Sequence, residues 1–261
     1  MLRPLITFMI FICFVMPALA ASSQWQDLGG GQVRLHAAVD ANSRSVNAVL
    51  EVQLKQGWST YWRYPGSAGI PPIFNFSDSI GIEFGEAEFP VPIKLGDGVN
   101  SYAGYKNSVL FPINGKLIGA TPPAIDLKLL IGVCEVICIP AQAHLTLEAG
   151  SLLQTDPNAF RMMTLAKLGL PRKIEANEIV QDISLDGEAI LLKLKTKSKN
   201  IALFVEGPRD WNLYPAHLLQ HDQKAATFSF NVAKTPKNTD VLATPLRYTL
   251  SFGTSGVEFT R

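Results

Sequence analysis

Residues 124–147 read AIDLKLLIGVCEVICIPAQAHLTL, and how this stretch folds decides the class of the protein. Apolar residues alternate with polar ones up to Val133, the period-2 pattern of a half-buried strand, and a second strand follows Pro140. Between the two runs Cys134 and Cys138 flank Glu135, Val136 and Ile137. In one extended strand, residues four apart lie roughly 13 Å from each other, whereas a disulfide wants Cα atoms about 5.5 to 6 Å apart. A bond between these cysteines therefore requires a turn, and a three-residue hairpin loop would set them opposite each other on neighbouring strands. Val136 and Ile137 are costly turn residues, because β-branched side chains tolerate positive φ poorly and cannot bond to the backbone. The apolar tip is expected either to be covered by another loop or to be a contact surface itself.

The same alternation recurs on both sides. QVRLHAAV from Gln32 and SVNAVLEVQL from Ser45 precede it, with Gly and Pro clusters between strands: YPGSAGIPP from Tyr64, FPVPIKLGDGVNSYAGY from Phe89 and GATPPA from Gly119. Strands punctuated this densely predict an antiparallel sandwich. TDPNAFRMMTLAKLGLP from Thr155 predicts one helix, with Asp156 as N-cap, Pro157 at the first position, Gly169 at the stop and Pro171 barring continuation. Beyond it, EIVQDISL, EAILLKLKT, IALFVEG, KAATFSFNV and LRYTLSFGT alternate again, and the Asp186-Gly187 pair marks a hairpin. The expected order is an export signal over 1–20, a first β domain over 21–154, a helical linker over 155–172 and a second β domain over 173–261.

The signal is read from Arg3, the apolar run Leu5–Val15 and Ala18-Leu19-Ala20, with cleavage after Ala20 or Ala21. Its removal takes Cys13, leaving a single cysteine pair. No later stretch reads as a membrane span, so the mature chain is expected in an oxidising, extracytoplasmic compartment, the periplasm of a Gram-negative source. Lys plus Arg number 23 against 22 for Asp plus Glu, with no basic block, which argues against nucleic acid as a partner. A mature chain of this length builds its own core and needs no disulfide for bulk stability.

A zinc clip would need about four Cys or His ligands, and only His144 stands near the pair. His36, His217 and His221 are scattered; His217 and His221 have the spacing that would share a helix face but lack further ligands. No metal is expected, nor a hydrolytic triad or phosphate loop. The C-x-x-x-C spacing in a strand setting differs from the C-x-x-C at a helix N-terminus of a thioredoxin-type enzyme. Such a pair suits the passive role, attacked by another protein's thiolate. Glu135 beside it either raises the thiol pKa values or is a solvated turn residue. Trp58, Tyr61, Trp62 and Tyr64 read as core and sheet-surface aromatics. From the residues alone, a structural staple and a redox couple stand level.

GWSTYWRYPGSAGIPPIF from Gly57, SYAGYKNSVLFPI from Ser101 and IGVCEVICIPAQAHLTL from Ile131 resemble the N-terminal periplasmic domain of DsbD-type thiol:disulfide interchange proteins, also known as disulfide bond corrector domains. The resemblance covers roughly residues 24–150, and the later half is similar to the extra β domain of longer relatives, including the copper-tolerance branch. It implies an immunoglobulin-like β-sandwich in which Cys134 and Cys138 cycle between dithiol and disulfide, with Cys138 favoured as the sulfur attacked first. No cofactor is implied. The implied partners are thioredoxin-like periplasmic proteins and a separately encoded membrane reductase, since membrane and thioredoxin-like sections are missing from this sequence; the implied pathways include cytochrome c maturation. Family members space the cysteines more widely and shield the disulfide with an aromatic cap loop. The corresponding GDGVNSYAGY has no Phe, so Tyr102 or Tyr105 would serve as cap, with Glu135 as modulator and Val136 and Ile137 as partner contacts. The competing expectation is a non-catalytic binding module with a structural disulfide.

Overall fold

A computed structural model describes residues 19–66, 69–98, 101–152, 156–208, 211–234 and 239–261. Most of the stretch read as an export signal, including Cys13, lies outside the described residues; Leu19–Ser22 are paired in a strand.

The first β unit contains β1 (Leu19–Ser22), β2 (Gln26–Asp27), β3 (Gly31–Asp40), β4 (Ser45–Leu54), β5 (Ser59–Tyr61), β6 (Ile73–Asn75), β7 (Ile82–Ala87), β8 (Ile93–Leu95), β9 (Tyr102–Lys106), β10 (Ser108–Leu117), β11 (Ile125–Cys134) and β12 (Cys138–Leu147). One antiparallel sheet runs β1-β3-β4-β10-β7, with β2 added to β3; the other runs β12-β11-β5-β9-β8, with β6 added to β11. Alternation sends Val33, Leu35 and Ala37 of β3, Leu50 of β4 and Phe111 of β10 inward. They meet Leu127, Leu129, Ile131 and Val133 of β11 and Leu145 of β12 in one core. This is the sandwich that the period-2 pattern predicts.

Two short helices, α1 (Ala149–Leu152) and α2 (Pro157–Leu168), follow. The Asp156 carboxylate accepts from the Asn158 N–H, so α2 begins where its cap and Pro157 dictate. Its Ala159, Met163 and Ala166 pack on Ala38 and Val49, on the outer face of the first sheet. The second β unit contains β13 (Arg172–Lys173), α3 (Ala176–Ile179), β14 (Val180–Asp186), β15 (Ala189–Lys195), β16 (Ala202–Glu206), β17 (Asn212–Leu213), β18 (His217–His221), β19 (Ala225–Lys234), β20 (Arg247–Ser251) and β21 (Gly256–Thr260). Its sheets, β13-β21-β20-β16 and β14-β15-β19-β17 with β18 on β19, close over a second core that includes Leu192, Phe228, Phe230, Tyr248 and Phe259. The Asp-Gly signal is realised: Gly187 takes φ 61° in the two-residue turn between β14 and β15. His217 and His221 fall on a strand, where four residues span about 13 Å, so their spacing does not make the helical pair considered above.

The two units meet along the segment that leaves β5. Strand alternation splits β16: Leu203 and Val205 join the second core, while Phe204 joins the first and lies 5.7 Å from Trp62 between ring centroids. Arg63 follows Trp62, stacks over its ring at 4.4 Å, and pairs with Glu206 and Glu258. Burial would pull the Arg63 pKa down, but the two carboxylates outweigh it and hold it above its ordinary value. Tyr64 adds hydroxyl contacts to the Trp211 carbonyl and the Leu213 N–H.

Candidate functional site

Cys134 ends β11 and Cys138 begins β12, register partners joined by a disulfide with Cα atoms 4.1 Å apart. Glu135, Val136 and Ile137 form the connecting loop. Positive φ among non-glycine residues is recorded at Arg44 and Asn107, so the loop turns without the left-handed backbone that would penalise β-branched residues. The tip is uncovered: Val136 is 91 % exposed and Ile137 75 %. Of the two outcomes expected for it, burial under GDGVNSYAGY is not what the described residues show; Val99 and Asn100 of that loop lie outside them. Glu135 is also exposed and leans against Gly57, whose added Cβ would stand 3.4 Å from its Oε1.

The register fixes which side chains share the disulfide's face. Ser59 is opposite Cys134, Tyr61 is next to Gly132 and opposite Gly104, and Tyr102 stands two residues before Gly104. Side chains of a strand alternate between faces, so Ser59, Tyr61 and Tyr102 lie on the disulfide's face, away from the core. Tyr61 donates its hydroxyl hydrogen to Cys138 Sγ at 2.6 Å. Its ring lies 5.1 Å from that of Tyr102 between centroids, at 53°. The Ser59 hydroxyl donates to the Cys134 carbonyl at 3.1 Å and lies 2.8 Å from the Tyr102 hydroxyl. Because Ser59 has one hydroxyl hydrogen, Tyr102 is the donor in that pair. Burial, and next the neighbouring Tyr102 hydroxyl, push the Tyr61 pKa up, so it keeps its proton as a donor.

Gly132 is needed beneath this ring. A Cβ there would meet Tyr61 Cδ2 at 2.7 Å and Ile70 Cβ at 2.8 Å, so the close approach of Tyr61 and the Ile70 segment requires glycine. The two cysteines differ in access: Cys134 is 6 % exposed, whereas Cys138 is half-buried at the mouth of the hairpin.

Tyr105 is placed differently from Tyr102. Three residues on, it takes the opposite face, is buried against Phe111 with centroids 5.5 Å apart, and donates to the Pro90 carbonyl. It is a core residue and does not cap the disulfide. Tyr61, read from the sequence as a core or sheet aromatic, is the side chain on the sulfur instead. The signal that could have found it is the pairing of β5 with β11, a contact between distant parts of the chain that local periodicity does not encode.

Comparison with known proteins agrees with the fold. Residues 32–149 match the family model for the N-terminal region of the thiol:disulfide interchange protein DsbD. Comparison with curated protein sequences gives no significant match. Among solved structures, the crystal structure of the N-terminal periplasmic domain of ScsB from Proteus mirabilis is similar with a TM-score of 0.74 and 21% identity, over 92% of this chain and 97% of that one. The likeness to that structure extends through both β units, whereas the match to the DsbD N-terminal family model covers residues 32–149.

Proposed function

We propose that this protein is a periplasmic thiol-disulfide exchange module in which the Cys134–Cys138 pair passes reducing equivalents between thioredoxin-like partners. The observation that carries the reading is the Tyr61 hydroxyl on Cys138 Sγ, beside an uncovered apolar tip. A staple needs neither; a working couple uses both, since a donor on the sulfur stabilises its thiolate and the tip gives a partner something to bury. The family match over residues 32–149 and the periplasmic domain that is the structural neighbour support the same reading.

In the accepting direction a partner's thiolate attacks Cys138 Sγ. The Cys134–Cys138 bond breaks, Cys134 leaves as a thiolate and takes a proton, and Cys138 is held in a mixed disulfide. The partner's second thiolate then attacks its own bridged sulfur, releasing Cys138, so that the partner leaves oxidised and this protein holds two thiols. Donation runs the sequence in reverse, with Cys138 as nucleophile and Cys134 resolving the mixed disulfide. A separately encoded membrane reductase supplies the electrons. The export signal over the first twenty residues places the module, and the division into a redox domain and a second β domain joined by α2 is part of the same proposal.

Equilibrating the purified protein in glutathione and dithiothreitol buffers and counting alkylated thiols tests the reading. A shuttle titrates within the range that thioredoxin-like partners span, whereas a pair that stays oxidised below about −300 mV is a structural staple.

A further inference from the structure

Between the two units lies a cavity of about 140 Å³, walled by Trp62, Tyr64 and Tyr102 on one side and by Leu203, Leu213 and Leu218 on the other. Its wall is largely apolar, and a cavity of this size accepts one ring-sized body. Two polar groups of the wall are unmatched. The Trp62 indole Nε1 and the Ser101 Oγ are buried and have no hydrogen-bond partner among the described residues, in residues 1 % and 6 % exposed. An indole N–H can only donate and a hydroxyl can donate; each buried donor left unmet costs about 1–3 kcal/mol. Lys94, at the exposed rim, is the single charged side chain among the described residues of the wall.

Two unmet donors and one cation beside an apolar chamber fit a ligand that is anionic at one end and apolar at the other. We infer that this interdomain cavity binds a small organic carboxylate with an aromatic or short aliphatic body. The carboxylate is recognised by Lys94 and the donors of Ser101 and Trp62, and the body by the leucines and Phe228. A bare inorganic anion leaves the apolar wall unused, and a cation is opposed by Lys94. The site is independent of the exchange chemistry, since no step at the cysteines requires it.

Titrating the oxidised full chain with phenylpropionate and, separately, with phenylpropanol tests the inference, with the Trp62 indole N–H followed by heteronuclear NMR. Phenylpropionate is expected to shift that resonance saturably, and phenylpropanol to bind at least about fivefold more weakly. Lys94→Ala should weaken the acid and leave the alcohol unchanged; Leu218→Trp, at a half-exposed wall position, should weaken both by filling the chamber. No saturable shift with either compound overturns the inference, as does equal affinity for acid and alcohol or indifference to Leu218→Trp. None of these outcomes bears on the redox titration above.

Discussion

The hydroxyl of Tyr61 is the smallest feature on which the proposed chemistry turns. Its replacement in Tyr61→Phe keeps the ring against Tyr102 and Gly132 and removes only the donor on Cys138 Sγ. A hydrogen bond to a charged group contributes about 1.5 kcal/mol, so the Cys138 thiol pKa should rise by about one unit, read from the pH dependence of alkylation in a Cys134→Ala background. A second residue-scale device lies on the far sheet. His36 is buried, with Nδ1 2.7 Å from Ser22 Oγ and Nε2 2.8 Å from Glu51 Oε2. Burial lowers the His36 pKa despite the opposing pull of Glu51. Glu51 is itself held low: burial would raise it, but hydrogen bonds from His36, Arg34 and Gln53 prevail. A histidine depressed in the folded state binds fewer protons there than in the unfolded chain. Its contribution to stability is therefore complete above its unfolded pKa of about 6.5 and is lost as pH falls through the folded value. The urea midpoint should decline from pH 7 downward, and His36→Gln should flatten that decline between about pH 6.5 and 5.

At the scale of the element, the β11–β12 hairpin separates what periodicity encodes from what it does not. Alternation over residues 125–133 revealed the strand and its buried face, and Asp156, Pro157 and Gly169 framed α2 as found. Tyr102 and Tyr105 were indistinguishable by composition; only the pairing of β9 with β5 shows that one faces the disulfide and the other the core. The run Leu203-Phe204-Val205 is apolar throughout, so nothing local told that Phe204 faces the other unit. The hairpin tip makes its own prediction. Val136→Ser with Ile137→Ser removes exposed apolar surface, which should change folding stability by less than about 0.5 kcal/mol while slowing exchange with a thioredoxin-like partner severalfold. Urea unfolding and stopped-flow exchange kinetics read the two quantities apart; equal exchange rates would remove the tip from the docking surface.

On the scale of the whole molecule, Arg63 ties the strand that carries Tyr61 to the second unit through Glu206 and Glu258. Arg63→Ala leaves two partly buried carboxylates facing each other, relieved by Arg247 at 3.4 Å from Glu206 and by the Thr249 hydroxyl, which donates to Glu258 Oε2 at 3.4 Å. The expected loss is about 3 kcal/mol, seen as a lower urea midpoint, and Arg63→Lys should restore only part of it because a point-like ammonium lacks the fixed planar donors that present Nε to Glu206 and Nη2 to Glu258. The long β12 strand sits at the edge of its sheet, and its residues level with Cys138 in phase, Pro140, Gln142 and His144, turn their backbone polar groups outward. Pro140 has no N–H to offer, and the Gln26 carboxamide occupies both the N–H and the carbonyl of His144. The border that carries Cys138 is thus poorly suited to templating another chain's backbone. Where many copies crowd together with their hairpins bare, edge-to-edge encounters therefore end in separation and not in sheet growth and fibrous self-assembly.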